Sequence, residues 1–128
     1  MMFQDTIIRI KNAQAVGKSR VKVPFSKLNE GILEVLSKYH YVKNFSKKGR
    51  GIKKIIDIEM SYHEDGTPKI STVKFLSKPS RRSYVKSEDL RIVRQGFGLG
   101  LISTSKGIME VKDARRSKLG GEYLFQIW

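Results

Sequence analysis

The chain has no cysteine among its 128 residues, which excludes disulfides, thiolate nucleophiles and cysteine-ligated zinc. It has only two histidines, and neither has a partner at metal or catalytic spacing: His40 follows an aromatic helix end and His63 precedes a turn. Structural or incidental roles fit both better. No apolar run approaches the roughly 18 residues of a spanning helix, and the opening Met1-Met2-Phe3-Gln4-Asp5 lacks the basic and apolar regions of a signal peptide. No membrane partner is therefore expected. In that setting the glycosylation triplet Asn44-Phe45-Ser46 reads as chance.

Acidic residues are also scarce: 12 Asp and Glu against 26 Lys and Arg leave a net charge of +14. The excess is spread along the chain, as in a folded basic protein rather than a globule with a basic tail. Such a field gathers phosphate-rich ligands by long-range attraction and counterion release. Without a lipid-binding feature, nucleic acid is the favoured polyanion.

Periodicity predicts an α+β fold of two small units, an αβαββ unit over 1–66 packed against a smaller strand-rich unit with short helices over 67–128. In the first, Ile7, Ile8 and Ile10 mark a helix over 5–15, and Val21 and Val23 mark a strand closed by Pro24. Ser26 caps a second helix whose stripe is Leu28, Ile32, Val35, Leu36 and Tyr39. A strand begins at 41–45, before a charged turn at 47–51. Ile56, Ile58, Met60 and Tyr62 then alternate with polar residues, as in a sheet with one wet face. In the second, strands are expected over 70–76, at Tyr84-Val85, at Leu101-Ile102 and over 123–127. A helical turn or short helix over 87–94 is capped by Ser87, and a short helix over 112–118 is stopped by Gly120-Gly121.

Familiar catalytic motifs fail. Gly96-Phe97-Gly98-Leu99-Gly100 puts Leu101 where a dinucleotide fingerprint needs its third glycine. Ser105-Lys106-Gly107 reverses the order of a phosphate-binding loop. Ser103 and Lys106 have Ser-x-x-Lys spacing without companion motifs, and Asp57 and Glu59 on one strand face read as solvated charges. A nuclease or nucleotide-dependent enzyme has no convergent carboxylates or histidines to build on. No catalytic residue, metal or cofactor is expected.

What survives is a polar recognition surface. Ser103, Thr104 and Ser105 offer short donors and acceptors, and Gly107 permits close backbone approach. Tyr84, between Arg81-Arg82 and Lys86, could stack on a base, the alternative being a half-buried strand tyrosine. Lys18/Arg20/Lys22 and Lys47/Lys48/Arg50 fit phosphate contacts rather than base readers, although each cluster alone also reads as a solvated face. A DNA-packaging protein is the rival reading, separable by competition between duplex DNA and folded RNA at equal salt.

In order along the chain, these residues resemble the family of the eighth protein of the bacterial-type small ribosomal subunit. The most specific match is Gly96-Phe97-Gly98, Ser103-Thr104-Ser105-Lys106-Gly107, Met109, Ala114-Arg115 and Gly120-Gly121-Glu122. Earlier echoes are Arg9-Ile10-Lys11-Asn12-Ala13, Pro24 with Ser26-Lys27-Leu28, and Ser77-Lys78-Pro79 followed by Arg82 and Tyr84. The chain departs from the family at Phe97, Ser80, Arg91 and Glu110, and its first helix is about one turn short. Glu110 stands where a threonine commonly caps the last helix, and its charge still favours that terminus.

The resemblance implies a primary RNA-binding protein of the small subunit that recognises an irregular helix in the rRNA central domain, mainly through its C-terminal half. It also implies neighbouring ribosomal proteins as partners and a place in the cytoplasmic ribosome, with an organelle ribosome as the open alternative. Repression of the chain's own operon messenger RNA stays open. Specificity is expected at Ser103, Thr104 and Ser105, supported by Tyr84 and Glu122, with Gly107 leaving the backbone free to approach and Lys106 a further RNA contact. Arg9, Lys11, Asn12 and Lys27 in the first unit, with Lys78, Arg81 and Arg82 in the second, are the expected supporting contacts. Glu122 would accept from a base amino group or hold a neighbouring cation.

Overall fold

A computed structural model describes residues 3–78, 80–91 and 98–128. The chain divides into two compact units, Met1–Ser71 and Thr72–Trp128, and its helices and two antiparallel sheets make it an α+β protein.

The first unit has the expected αβαββ order: α1 (Phe3–Ala15), β1 (Arg20–Pro24), α2 (Lys27–Lys38), β2 (Val42–Lys48) and β3 (Ile55–Met60). The sheet order is β1-β3-β2. Ser26 caps α2, its Oγ accepting from the Asn29 N–H at 3.0 Å. The apolar stripe differs from expectation at one end, because Leu28 is exposed and Asn29 is buried. The Asn29 Nδ2 donates to the Pro24 carbonyl at 3.1 Å, a tie that turns the helix start inward at a polar residue. Gln14 is a second buried polar anchor: its Nε2 donates to the Tyr41 carbonyl and its Oε1 accepts from the Ile70 N–H. Both helices pack on the sheet, where Val23, Val42, Ile56, Ile58 and Met60 are buried.

Two further expectations in this unit are corrected. Lys47 and Lys48 belong to β2, pairing with Ile56 and Ile55, so the turn starts two residues later, at Gly49. Asp57 is buried at 3 % exposure rather than solvated. The Lys48 Nζ donates to its Oδ2 at 2.9 Å, and Arg20 lies 3.5 Å from the same oxygen. The Lys48 hydrogen bond, supported by the charges of Lys48, Arg20 and Lys22, holds the carboxyl below its ordinary range against the opposing effect of burial.

The second unit is built around β8 (Gly121–Ile127). On one side β8 pairs with β4 (Val73–Phe75) and β5 (Tyr84–Val85). On the other it pairs with β6 (Leu99–Thr104), which in turn pairs with β7 (Gly107–Glu110). Leu90, Ile102, Val111, Ala114 and Tyr123 form its core, with α3 (Val111–Arg116) laid against β6 and β7. Leu124 is buried as well as Tyr123 and Phe125, at the centre of β8.

The strand expected over 70–76 is confined to β4, and β7 was not foreseen. A 3-10 turn at Ser87–Asp89 fits the helical turn expected there, but it is entered from Lys86, so Ser87 is not its cap; residues 92–97, including Gly96, Phe97 and the end of the span expected to be helical, lie outside the described residues. Glu110 caps α3 as its position implied, accepting the Lys112 N–H. The end of α3 differs. Lys118 takes the left-handed conformation (φ 57°), and the N–H groups of Lys118 and Leu119 close the turn on the Arg115 and Ala114 carbonyls. Gly120-Gly121 is therefore not the helix stop.

Candidate nucleic-acid interface

Gly120-Gly121 serves close approach instead. A Cβ on Gly120 would lie 2.6 Å from the Val85 carbonyl oxygen, and one on Gly121 would lie 2.0 Å from that of Ser103. Only bare backbone fits between β5 and β6 at this point. The next residue, Glu122, consequently stands opposite Tyr84 on one side and opposite Ser103 on the other. Directly opposed residues share a sheet face, so the aromatic ring, the carboxylate and the hydroxyl form one row across three strands. Tyr84 is 70 % exposed, which replaces the half-buried alternative.

The row continues into the two-residue turn between β6 and β7, whose strands close at Thr104 and Gly107. The Thr104 hydroxyl donates to the Gly107 carbonyl at 2.8 Å and accepts the Lys106 N–H at 3.2 Å. Thr104 thus holds the turn, while Ser105 and Lys106 are exposed on it. Gly107 has φ 110° with open space beside it, a conformation that glycine adopts without strain.

Beside β5 lies a basic loop with a buried clamp. The Ser77 Oγ accepts the Ser83 N–H at 2.9 Å, and paired backbone hydrogen bonds join Lys78 to Arg81. Lys78, Arg81 and Arg82 are exposed on this tied loop. A hydroxyl row beside exposed cations on a tied loop can meet a sugar edge, a base edge and phosphates together.

Arg9, Lys11 and Asn12 lie on α1 and Lys27 on α2, all in the first unit. Arg9 and Asn12 line a groove with Ile8, Val16, Lys18 and Val21, and Arg9 Nη1 donates to the Lys22 carbonyl at 3.0 Å. Lys27 is exposed at the start of α2. Sequence reasoning missed Ser77 as a positioning residue. It saw Gly121 but read it as a helix signal; the clue was a doubled glycine immediately before Glu122, itself singled out as a candidate contact.

In the interior of the second unit, buried polar groups are short of partners. Burial pushes the Glu110 carboxyl above its ordinary range, only partly offset by the Lys112 backbone N–H, and Oε1 makes no hydrogen bond of standard geometry. Burial likewise raises the Tyr123 hydroxyl, which accepts from Gln126 Nε2 at 3.0 Å. Among the described residues no cluster of three or more metal-ligating side chains occurs, and no helix is long and apolar enough to cross a membrane.

Fold and surface together define a basic α+β protein of the nucleic-acid-binding class. The profile of one family, ribosomal protein S8, matches residues 2–128. The small ribosomal subunit protein uS8 of Persephonella marina is 40 % identical, over 97 % of this chain and 95 % of the relative. That of Dictyoglomus thermophilum is 41 % identical over 97 % and 94 %, and that of Crocosphaera subtropica 39 % over 99 % and 96 %. The chain belongs to the ribosomal protein S8 family. It is a structural, rRNA-binding constituent of the small ribosomal subunit, located in the ribosome, and not an enzyme.

Proposed function

We propose that this chain recognises an irregular helical element in the central domain of small-subunit rRNA, early in subunit assembly and mainly through its second unit. The observation that carries the reading is the Tyr84–Glu122–Ser103 row beside the exposed Ser105 turn. An A-form helix offers a wide minor groove lined with 2′-hydroxyls, where Ser103 and Ser105 find partners. Where the helix is irregular an unstacked base can lie on Tyr84, a contact worth about 1–3 kcal/mol. Glu122 accepts from a base amino group in the same row, and Lys78, Arg81 and Arg82 hold the flanking phosphates. Arg9, Lys11, Asn12 and Lys27 of the first unit add contacts to the same or adjoining RNA. A messenger RNA element of similar shape would fit the same row, which extends the reading to repression of the chain's own operon. Neighbouring small-subunit proteins complete the set of partners in the cytoplasmic ribosome.

The test compares wild type and Ser105→Ala on the central-domain element and on a scrambled duplex at fixed salt. Affinity should fall on the element alone, with the denaturation midpoint unchanged. Equal loss on both RNAs, or none on either, removes Ser105 from the specificity surface.

A further inference from the structure

A second feature of the molecule is not used by the row on β5, β8 and β6. From the end of β2 to the start of β3, residues 47–54 read Lys-Lys-Gly-Arg-Gly-Ile-Lys-Lys, with five cations and no acid. At the tip stands Ile52, fully exposed at 103 % relative accessibility. Single exposed apolar residues are common and carry nothing by themselves. The difference lies in how this one is held.

The tip is built, not merely long. A 3-10 turn, Gly51–Lys53, is closed by Lys53 N–H to the Arg50 carbonyl at 3.1 Å and Lys54 N–H to the Gly51 carbonyl at 3.2 Å. The Phe25 N–H donates to the Lys54 carbonyl at 3.1 Å. Gly49, at φ 86°, lies where a Cβ would come 2.6 Å from the Lys53 carbonyl oxygen. Three of the five cations are drawn inward: Lys47 to Glu30 at 2.9 Å, Lys48 to Asp57 at 2.9 Å, and Lys54 over the Phe25 ring at 4.1 Å. Arg50 and Lys53 are left exposed, with no ion pair among the described residues, on either side of Ile52.

We propose that this hairpin tip is a second RNA contact, in which Ile52 enters the minor groove of a helical segment as an apolar wedge while Arg50 and Lys53 bind the phosphates flanking it. The charge pattern chooses the occupant. A protein pocket for Ile52 would have to be ringed by acids to satisfy the same two cations, whereas RNA supplies phosphates and apolar sugar and base faces within one groove. Aliphatic side chains serve as wedges between base steps in minor grooves, and the shallow A-form minor groove admits a short tip. A wedge held by a rigid turn loses little freedom on binding.

This inference rests on the chain being bound to small-subunit rRNA, and its test separates the two claims. Because the chain has no cysteine, Ile52→Cys gives a unique thiol for a tethered hydroxyl-radical reagent, used on small-subunit particles reconstituted with full-length rRNA. Cleavage should cluster on two strands facing each other across one minor groove. In parallel, Ile52→Ser should weaken binding about 3–10-fold with an unchanged salt slope, whereas Arg50→Gln should lower the slope by about one. Ile52 is exposed, so an unchanged denaturation midpoint is the folding control. The inference is overturned if wild type and Ile52→Ser bind alike, if the tethered reagent cuts no rRNA in assembled particles, or if it modifies a neighbouring protein instead. If wild type does not distinguish the central-domain element from a scrambled duplex, the function proposed above fails separately; cleavage at the tip would then still support the hairpin contact, and its absence would end both.

Discussion

Two hairpin turns of this chain solve opposite problems. The turn between β6 and β7 presents hydroxyls and one lysine, with its own Thr104 closing it. The turn between β2 and β3 presents cations around an isoleucine, closed by backbone bonds and braced on Phe25. Hydroxyl contacts need a partner at hydrogen-bond distance and so depend on RNA shape, with little dependence on salt. Cation contacts act at longer range and release counterions, so they weaken steeply with salt and carry little sequence information. The comparison teaches that net charge locates the partner class, while discrimination depends on how closely the backbone can be brought to that partner.

The largest effect is expected where that approach is set. Gly121→Ala places a methyl 2.0 Å from the Ser103 carbonyl oxygen, which β6 and β8 can relieve only by separating. A loss of at least about 2–3 kcal/mol is expected from overpacking of this kind, together with loss of specific RNA binding, read by urea denaturation and titration. Gly49→Ala introduces a clash of 2.6 Å with backbone at φ 86° in the other turn, but in a surface loop. It should lower the denaturation midpoint less than Gly121→Ala. A reversed order would show that the basic hairpin, not the β5–β8–β6 row, is the more rigid frame.

Tyr84→Ala comes next. The ring is 70 % exposed, so folding should be untouched while affinity for the central-domain element falls by about 1–3 kcal/mol. Arg81→Gln should instead weaken binding to every RNA and reduce the salt slope by about one. The two variants having the same signature would erase the distinction between the surfaces.

How much of this was legible in the sequence follows from the range of each interaction. The αβαββ order, the Ser26 cap and the alternation of Ile56, Ile58 and Met60 are local, and they read directly. The short strand β7 was not seen because Ile108-Met109 shows no alternation by itself; it is a strand only because it pairs with Ser103 and Ile102. Asp57 looked solvated because Lys48 and Arg20, which cover it, come from other strands. At the interface, Tyr84, Ser103 and Glu122 were named by residue type and family pattern, but their direct opposition is a product of register. Register in turn depends on Gly120 and Gly121, whose local meaning, a helix stop, hid their tertiary one.

The same contrast between units appears in two buried carboxylates, and pH separates them. Asp57 is held below its ordinary value of 3.8, first by the Lys48 hydrogen bond. Its contribution is present above the unfolded value and lost as pH falls through the lowered folded one. Glu110 is raised above 4.5, chiefly by burial. The folded state therefore holds its proton more tightly, and stability declines as pH rises from 4.5 through the raised value. Asp57→Asn should soften the acid limb of a stability–pH curve. Glu110→Gln, which keeps an acceptor for the Lys112 N–H, should flatten the region just above 4.5. Urea midpoints collected from about pH 3 to 7 would check both; an unchanged curve in either variant would show that its carboxylate is not the group responsible.

The smallest effect concerns the three helix ends, which share one hydrogen-bonding pattern on different residues. Helix α1 turns at Gly17 (φ 76°), α2 at His40 (φ 66°) and α3 at Lys118 (φ 57°). In each, the left-handed residue and its successor donate to carbonyls near the end of the helix, as Gly17 and Lys18 do to Gln14 and Ala13. A side chain in this conformation costs about 1–2 kcal/mol relative to glycine, and the greater freedom of glycine in the unfolded chain offsets part of that. Lys118→Gly should accordingly raise stability by up to about 1 kcal/mol. Lys118 is exposed in the unit that carries the hydroxyl row, so the same change should weaken binding slightly and equally on the central-domain element and the scrambled duplex. Greater stability with a uniform loss of binding would identify Lys118 as a residue kept for charge at the expense of backbone comfort. A loss confined to the specific RNA would instead move Lys118 into the recognition surface.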